Sequence, residues 1–331
     1  MNVLVTGAGG FVGPHLVRAL AARGHAAWGS GLEPAPPPSL AGDAAVVGWT
    51  RWDVADEGDD AIAGLFARGG AVDAVVHLAG QASAARSFED PLGTARVNFG
   101  GTLRLLEAAR RAAFTGPLVV AGSSEAYGRI ADGRPCDEDT PLAPLSPYGV
   151  SKAAADHATR VYAQSFGLRA VVTRAFSHTG PGQSPAFALA SWARQVADFE
   201  AGAERGDRGP FRLQVGNLEP VRDYGDVRDV ARAYALLLEK GAPGTAYNVA
   251  TGRGVKLRDV VGLLLAAARV PIEVEEDAAR LRPNDLTYLV GDPTRLSAAT
   301  GWSPAIPLAE TLSALLEDAR SARASLIEGG A

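Results

Sequence analysis

The first half of the chain alternates short apolar runs with amphipathic stretches. Because buried strands separated by helices pair in parallel through right-handed crossovers, this pattern predicts an α/β fold with a doubly wound parallel sheet. The apolar runs predict strands at Asn2–Thr6, Ala26–Ser30, Ala45–Trp49, Ala74–Leu78, Leu118–Ala121 and Ala170–Thr173. The amphipathic stretches predict helices at Phe11–Arg23, Asp56–Ala67, Thr94–Ala113 and Pro147–Phe166.

The pattern changes after about residue 175, where glycine and proline interrupt shorter elements. We therefore predict a sheet domain at 1–175 and a smaller C-terminal α/β domain at 176–331. The amphipathic stretch Asp226–Glu239 can pack back on the first domain. A segment near 217–250 is accordingly expected to return to it.

Composition excludes several classes of protein. The 331-residue chain has a formal net charge of -5, which gives no electrostatic reason to expect nucleic acid or an anionic membrane as a partner. Its single cysteine, Cys136, rules out an intrachain disulfide, and the five histidines show no metal-ligand spacing, so we expect no metal site. With no basic leader at Met1–Thr6 and no apolar run that could span a membrane, we expect a cytoplasmic protein.

A glycine-rich turn follows the first predicted strand, in Thr6-Gly-Ala-Gly-Gly-Phe-Val-Gly13. Gly7, Gly10 and Gly13 suit a tight turn, close approach of a pyrophosphate to the backbone, and close packing of the next helix. The N–H groups that begin this helix, near Phe11 and Val12, would hold the phosphates. This context predicts a dinucleotide-binding site, and a tight turn without a ligand is the alternative.

The ends of the second and third strands bear on which dinucleotide binds. An acid that binds the adenosine ribose 2′-hydroxyl is expected where Gly31 stands, so discrimination against a 2′-phosphate is missing. Ser30 could donate to such a phosphate, although no arginine follows and Glu33 would oppose it if it pointed inward. We expect NADP(H) to be favoured over NAD(H). Asp53 and Val54 suit contact with the adenine edge, and a helix N-cap at Asp53 is an equal alternative.

The sequence Tyr148-Gly-Val-Ser-Lys152 places a phenol and an ammonium on one face of the helix predicted to begin at Pro147. Only three of the 32 basic residues are lysines, which makes this lysine informative. A neighbouring ammonium would lower the tyrosine pKa from about 10 by roughly 1 to 3 units. Lys152 could also hydrogen-bond ribose hydroxyls. A surface tyrosine beside a solvated lysine is the alternative.

Two serines follow the predicted strand Leu118–Ala121, in Gly122-Ser-Ser-Glu-Ala-Tyr-Gly128. The carboxyl end of such a strand opens onto the ligand crevice of a doubly wound sheet. Ser123 or Ser124 could donate a hydrogen bond to a substrate carbonyl and complete a Ser, Tyr, Lys set. Formation of a turn is the alternative role for these hydroxyls.

Together these motifs resemble the extended short-chain dehydrogenases/reductases that modify nucleotide sugars, and the resemblance covers nearly the whole chain. It implies an NAD(P)-binding Rossmann domain followed by a nucleotide-sugar-binding domain. It also implies Ser123 as the hydroxyl catalyst, Tyr148 as the acid–base and Lys152 as the lysine that holds the cofactor. Further cofactor contacts are implied in His77-Leu-Ala-Gly80 and in the later motifs, at Leu78, Ala79, Gly80, Asn98 and Phe176.

Motifs in the second half resemble those of the family branch that reduces GDP-4-keto-6-deoxy-D-mannose. These are Thr173-Arg-Ala-Phe-Ser-His-Thr-Gly-Pro-Gly-Gln183, Val215-Gly-Asn-Leu-Glu-Pro-Val-Arg-Asp-Tyr-Gly-Asp-Val-Arg-Asp229, Tyr247-Asn-Val249 and Leu281-Arg-Pro283. The resemblance implies substrate contacts at Ser124, Glu125, Ser177, Asn217, Arg222 and Arg282. The two arginines would bind the diphosphate, which the guanidinium fork matches. Ser177 stands where related sequences commonly have asparagine, which affects selectivity for the sugar hydroxyls.

The implied activity is NAD(P)H-dependent reduction of the C4 ketone of GDP-4-keto-6-deoxy-D-mannose to GDP-D-rhamnose, with Tyr148 as proton donor. One alternative is a GDP-mannose 4,6-dehydratase, in which Glu125 would remove a C5 proton. Another is a reductase of opposite C4 stereochemistry, giving GDP-6-deoxy-talose. The complete catalytic set argues against a non-catalytic dinucleotide-binding protein. Because related enzymes dimerise through two helices per subunit, we expect a homodimer formed through Thr94–Ala113 and Pro147–Phe166.

Overall fold

The computed structural model describes residues 1–56, 61–66, 71–130, 133–280 and 286–328. Short 3₁₀ turns lie at Ala63–Phe66, Ser124–Ala126 and Ala278–Arg280, and a π-helical segment at Arg96–Gly100. The strands and helices, in chain order, are β1 (Asn2–Thr6), α1 (Gly13–Ala21), β2 (Ala26–Gly31), β3 (Val46–Arg51), β4 (Ala74–His77), α2 (Ala84–Glu89), α3 (Pro91–Ala95), α4 (Gly101–Arg111), β5 (Leu118–Ser123), α5 (Pro147–Phe166), β6 (Ala170–Ala175), β7 (Ser177–Thr179), α6 (Ala188–Glu204), β8 (Arg212–Val215), β9 (Val221–Asp226), α7 (Val227–Lys240), β10 (Ala246–Val249), β11 (Gly254–Lys256), α8 (Leu257–Leu265), β12 (Glu273–Glu276), β13 (Tyr288–Leu289), α9 (Thr294–Thr300) and α10 (Leu308–Glu328).

A seven-stranded parallel sheet forms the centre of the first domain, in the order β10-β6-β5-β4-β1-β2-β3. The strand order reverses between β1 and β4, and ligands of open α/β sheets bind outside the carboxyl ends of the strands at this point. The predicted doubly wound parallel sheet is therefore confirmed. The glycine-rich turn after β1 lies at this end of the sheet.

Helices cover both faces of the sheet because side chains along each strand alternate between them. On β1, Val3 and Val5 pack in one apolar layer with α1 and α7, whereas Leu4 packs in the other with α4. From the later part of the chain, α7 packs against α1, and β10 pairs with β6. The domain limits at 175 and 176 stay a prediction.

The remaining elements form a second apolar core between α6, α8 and α10. Two smaller sheets accompany it: β8 pairs with β12 in parallel, and β9 pairs with β7, β11 and β13. Thus β9 belongs to a small sheet, and of the segment 217–250 only α7 and β10 pack on or pair with the large one. Within the described ranges, no helix is long and apolar enough to cross a membrane.

Two predicted helices differ from those observed. The stretch Thr94–Ala113 is divided among α3, the π-helical segment Arg96–Gly100 and α4, since the buried Asn98 side chain hydrogen-bonds outside its own helix. Phe11–Arg23 is shortened to α1 because Phe11 and Val12 belong to the turn. By contrast, α5 has the predicted limits: Ser146 caps its first turn, and Gly167 ends it with a φ of 72°. Part of Asp56–Ala67 lies outside the described residues.

Candidate active site

Each glycine of the turn after β1 meets a different constraint. Gly7 has a φ of +65°, and a Cβ there would lie 2.8 Å from the Ala79 backbone, so the turn abuts the chain that follows β4. A Cβ on Gly13 would lie 1.9 Å from the Ala8 carbonyl oxygen, which shows how closely α1 packs on the turn. A Cβ on Gly10 would meet only the Gly7 carbonyl oxygen, at 3.2 Å. Gly10 is thus the glycine whose open side suits a ligand.

The turn also contacts β7 through a pair of rings. Phe11 stacks on His178 with ring centroids 6.0 Å apart and an interplanar angle of 5°. His178 Nδ1 lies 2.9 Å from the Phe176 carbonyl oxygen, and burial lowers the pKa of the imidazole. Val12 is the residue before α1 and is partly buried. The stack brings the predicted cofactor turn beside the predicted sugar-side residue Ser177.

At the end of β2 the structure changes the prediction for Ser30. Its side chain is 1% exposed, and its hydroxyl has no hydrogen-bond partner among the described residues. Because this hydroxyl is buried, it is not accessible to a ligand, which makes Ser30 a poor candidate to bind a 2′-phosphate. Gly31 pairs with Arg51 on β3, and the Arg51 guanidinium donates from Nε to the Leu32 carbonyl oxygen at 3.0 Å.

The sequence alone does not show that Arg51 lies beside Gly31. Arg51 follows Gly31 by twenty residues and is brought next to it by the pairing of β2 with β3. The signal that could have placed Arg51 beside Gly31 is the parallel register between β2 and β3.

Asp53 and Val54 lie beyond β3. An Asp53 carboxylate oxygen accepts a hydrogen bond from the Ala55 N–H at 2.8 Å, which makes a local turn. Val54 is 7% exposed, and its side chain faces Gly101 on α4. The Val54 side chain therefore belongs to the packing between the β3 end and α4, and the contact of Asp53 with an adenine edge stays a prediction.

The loop after β4 is held by Asn98. The Gln81 N–H donates to Asn98 Oδ1 at 2.8 Å, and Asn98 Nδ2 donates to the Ser151 hydroxyl at 3.0 Å on α5. This amide ties the Leu78–Gly80 segment to the catalytic helix, so its observed role is to position that segment. Gly80 itself is exposed, and a Cβ there would lie 3.5 Å from Lys152 Nζ.

The catalytic candidates converge at the carboxyl end of β5. Ser123 is the last residue of β5, and Tyr148 is in the first turn of α5. Burial raises the pKa of Tyr148 to about 12, a hydrogen bond with Ser123 opposes this rise, and the Glu125 carboxyl adds to it. The side chains of Ser123 and Tyr148, both predicted to act on one carbonyl, are thus close to each other. Ser124 is buried beside them, with 4% exposure.

Lys152 lies one helical turn after Tyr148, and its Nζ donates to the Ala121 carbonyl oxygen at 2.9 Å. Burial lowers the pKa of Lys152 to about 8. The Tyr148 pKa is raised in this structure, and Lys152 is not among the groups that shift it, so the predicted lowering of this pKa by Lys152 stays a prediction. Desolvation of the phenol dominates, and the ammonium is turned toward β5 and the Gly80 segment.

The structure brings only some of the predicted substrate residues to the site. Ser177 is half-buried at the start of β7, and Arg222 is half-buried on β9. Asn217 is exposed, and its Oδ1 accepts the Glu219 N–H in a local turn at 3.0 Å. Phe176 is 2% exposed in an apolar cluster with Tyr127, and its predicted contact with the cofactor stays a prediction. Arg282 lies outside the described residues.

A comparison with models of protein families shows which family the chain belongs to. The model of the family described as GDP-mannose 4,6 dehydratase matches residues 4–315. The chain belongs to this family. The match includes every motif singled out above.

Three relatives show the range of the family. The GDP-6-deoxy-D-mannose reductase of Pseudomonas aeruginosa is 37% identical over 318 residues, which is 96% of this chain and 96% of that protein. A structure of RMD from Pseudomonas aeruginosa complexed with NADPH has a TM-score of 0.79 and 35% identity, covering 97% and 99% of the two chains. The Thermus thermophilus UDP-glucose 4-epimerase complex with NAD has a TM-score of 0.84 and 35% identity, covering 97% and 100%.

A fourth relative belongs to the dehydratase branch. The GDP-mannose 4,6-dehydratase of Vibrio cholerae is 32% identical over 283 residues, or 75% of this chain and 74% of that protein. Together these relatives confirm the predicted family and the predicted enzyme class, an NAD(P)-dependent oxidoreductase of the nucleotide-sugar-modifying type.

Proposed function

We propose that this enzyme uses NAD(P)H to reduce the C4 ketone of GDP-4-keto-6-deoxy-D-mannose, giving GDP-D-rhamnose (GDP-6-deoxy-D-mannose). The observation that carries the proposal is the junction of β5 and α5, where the Ser123 hydroxyl lies close enough to the Tyr148 phenol to oppose the rise of its pKa and Lys152 follows one turn later. The 37% identity to a GDP-6-deoxy-D-mannose reductase over nearly the whole chain supports the choice of substrate.

The residues present fit a nicotinamide dinucleotide. Gly10 leaves open the space that a Cβ would fill, and Gly80 is exposed next to the Lys152 ammonium. The backbone N–H groups of the turn, up to Gly13, would hold the pyrophosphate. Lys152 would hold ribose hydroxyls. When bound, the cofactor supplies the hydride for the ketone carbon.

The protein's part in the reaction is then proton transfer and positioning. Tyr148 stays protonated at neutral pH because its pKa is about 12, so its phenol can donate a proton to the oxygen of the forming alcohol. Ser123 can donate a second hydrogen bond to the same oxygen and stabilise developing negative charge there. Lys152 keeps the ribose in place. Arg222, with Arg282 from the undescribed segment, would bind the diphosphate of the substrate.

GDP-mannose 4,6-dehydration is the second candidate. Glu125 lies close enough to Tyr148 to raise its pKa, so a carboxyl that could remove a C5 proton is present at the site. The dehydratase relatives support it further. A reductase that gives the C4 epimer, GDP-6-deoxy-talose, would use the same protein groups with the sugar ring turned over.

The deciding experiment supplies purified enzyme with GDP-4-keto-6-deoxy-mannose and either NADH or NADPH. Loss of the reduced-nicotinamide absorbance, with GDP-D-rhamnose identified by NMR, is the expected result. A parallel reaction supplies the enzyme with GDP-mannose and no added reductant. Conversion of GDP-mannose to the keto-sugar, with no oxidation of either reduced cofactor, would identify a dehydratase and overturn the reductase.

Two further expectations belong to the proposal. NADPH is the preferred reductant, since no acid stands at Gly31 to exclude a 2′-phosphate. Two copies of the chain assemble through α5 and the helices beside it in the cytoplasm. Apolar side chains exposed along this face support the assembly: Phe88, Leu92, Leu145, Val150, Val161 and Phe166.

A further inference from the structure

The strand register places a positive charge where dinucleotide sites of this fold keep a negative one. Gly31 occupies the position of the acid that binds the adenosine ribose, and its partner on the neighbouring strand is Arg51. Both residues are at the carboxyl ends of their strands, the end of the sheet that carries the glycine-rich turn. Side chains of paired residues in parallel strands lie on the same face.

The local packing explains both residues. A Cβ on Gly31 would lie 3.1 Å from the Trp49 ring, so any larger side chain would have to displace the indole. The same indole faces Gly29 and donates from Nε1 to the Glu33 carbonyl oxygen at 2.9 Å. Trp49 thus takes the place beside β2 that an acidic side chain would need. Because Gly31 has no side chain, the space at the end of β2 is available to the Arg51 side chain.

The Arg51 guanidinium is anchored and still exposed. Its Nε donates to the Leu32 carbonyl oxygen at 3.0 Å, which fixes the side chain against the chain just after Gly31. Within the described part of the chain it forms no ion pair, and the nearby Glu33 is exposed without contacting it. No hydrogen bond from the two terminal nitrogens, Nη1 and Nη2, is seen to the described residues, so their donors remain for a ligand.

We infer that Arg51 is the residue that selects NADP(H), by binding the 2′-phosphate of the adenosine ribose. A planar guanidinium with a fixed Nε presents its remaining donors in the geometry that a phosphate accepts. The inference rests on the proposed function, since it assigns a residue to the cofactor of that reaction. It replaces Ser30, whose hydroxyl is enclosed.

Calorimetric titration of the full chain with NADPH, NADH and adenosine 2′,5′-bisphosphate tests the assignment without turnover. In Arg51→Gln, the Kd for NADPH and for the bisphosphate should rise about 10- to 100-fold, because a charge-assisted hydrogen bond is lost. The Kd for NADH should change less than about twofold. In Arg51→Lys, which keeps the charge but not the fork of the guanidinium, the Kd for NADPH should lie between those of the wild type and Arg51→Gln. This variant tests the assignment if Arg51→Gln is unstable.

Arg169→Gln is the matched control, because Arg169 is also exposed but precedes β6, at the opposite end of the sheet. It should leave all three constants unchanged. Equal losses for NADPH and NADH in Arg51→Gln, or no loss for NADPH, would overturn the role of Arg51 while leaving the reductase intact. A wild-type chain that binds neither dinucleotide would instead overturn the proposed function itself, and the assignment with it.

Discussion

The phenol of Tyr148, in the first turn of α5, lies close enough to the Ser123 hydroxyl at the end of β5 for Ser123 to oppose the rise of the Tyr148 pKa. Both groups can therefore donate to one carbonyl oxygen placed at this junction. Neither group needs an ionised side chain to donate its hydrogen. This relationship leads to the first prediction.

Tyr148→Phe should lower kcat by about 10² to 10⁴-fold, because it removes the proton donor while the ring still fills its site. Ser123→Ala should lower kcat by about 10²-fold, because one donor to the developing oxyanion is lost. Both are measured by oxidation of NADPH with saturating keto-sugar. Tyr162→Phe is the control on the same helix, where the hydroxyl donates to Glu107 instead. Unchanged kcat in Tyr148→Phe would rule out the assignment.

Cofactor affinity should depend on the charge of Lys152. Its pKa of about 8 means that the ammonium is present below this pH and is lost as the pH rises through it. The Kd for NADPH should therefore rise by several-fold to about tenfold between about pH 7 and about pH 9.5. Lys152→Met should bind weakly at every pH.

Lys240→Met serves as the control for this titration, since Lys240 also donates to a backbone carbonyl oxygen, that of Thr300. It should keep the wild-type pH profile. The same alkaline rise in Kd in Lys152→Met would show that another group titrates.

Substitutions at two glycines of the turn should affect the stability of the fold and the binding of NADPH differently. Gly13→Ala should destabilise the fold by about 3 kcal/mol, because its Cβ would overlap the Ala8 carbonyl oxygen. Gly10→Ala should change the free energy of unfolding by less than about 1 kcal/mol and still weaken NADPH binding at least tenfold, because the methyl group would occupy the approach of the pyrophosphate. Urea unfolding and titration calorimetry measure the two effects. Wild-type affinity in Gly10→Ala would place the pyrophosphate elsewhere.

Acid should destabilise the protein partly through His77. Burial, with a smaller effect from Lys152, lowers the pKa of His77 from 6.5 to about 3. Below pH 6.5 the His77 side chain binds a proton in the unfolded chain but not in the folded one. The free energy of unfolding therefore falls by up to about 1.4 kcal/mol for each unit by which the pH decreases. In His77→Gln this fall should be shallower between about pH 6.5 and about pH 5.

Urea midpoints at several pH values give the slope for His77→Gln, whatever its absolute stability. His157→Gln is the control because His157 is exposed on α5. Equal slopes in the wild type and His77→Gln would assign the acid sensitivity to other groups.

The proposed dimer should depend on the apolar face of α5. Val161→Glu should give a monomer by light scattering, because a charge would be buried between the copies. Val47→Glu is matched to it, since both valines are 50% exposed and Val47 lies on the edge strand β3. Retention of the dimer in Val161→Glu, or a monomeric wild type, would contradict the assembly through this face.

The sheet and the catalytic helix were predictable because local patterns determine them. Six strands were placed near their observed positions, and α5 has the predicted ends since Ser146, Pro147 and Gly167 are local signals. The seventh strand, β10, was included only in a returning segment. Its partner β6 is distant in sequence, and periodicity does not give pairing between distant segments.

The candidate site was predictable in its residue types and less so in its environment. Tyr148 and Lys152 were selected by spacing, but their pKa values follow from burial, which the sequence does not measure. The place of Arg51 beside Gly31 and the burial of Ser30 were not predicted, for one reason. Both depend on how β2 and β3 pair and on which side chains that pairing encloses.

The place of β10 at the edge of the large sheet has a consequence for biosynthesis. While the ribosome is still making the second domain, β6 has no partner on its outer side, because β10 comes after α7 in the chain. The nascent protein therefore carries an open sheet edge and an uncovered α1 until residue 249 has emerged. A truncation near residue 175 would keep every catalytic group and still leave this edge exposed to aggregation and proteases.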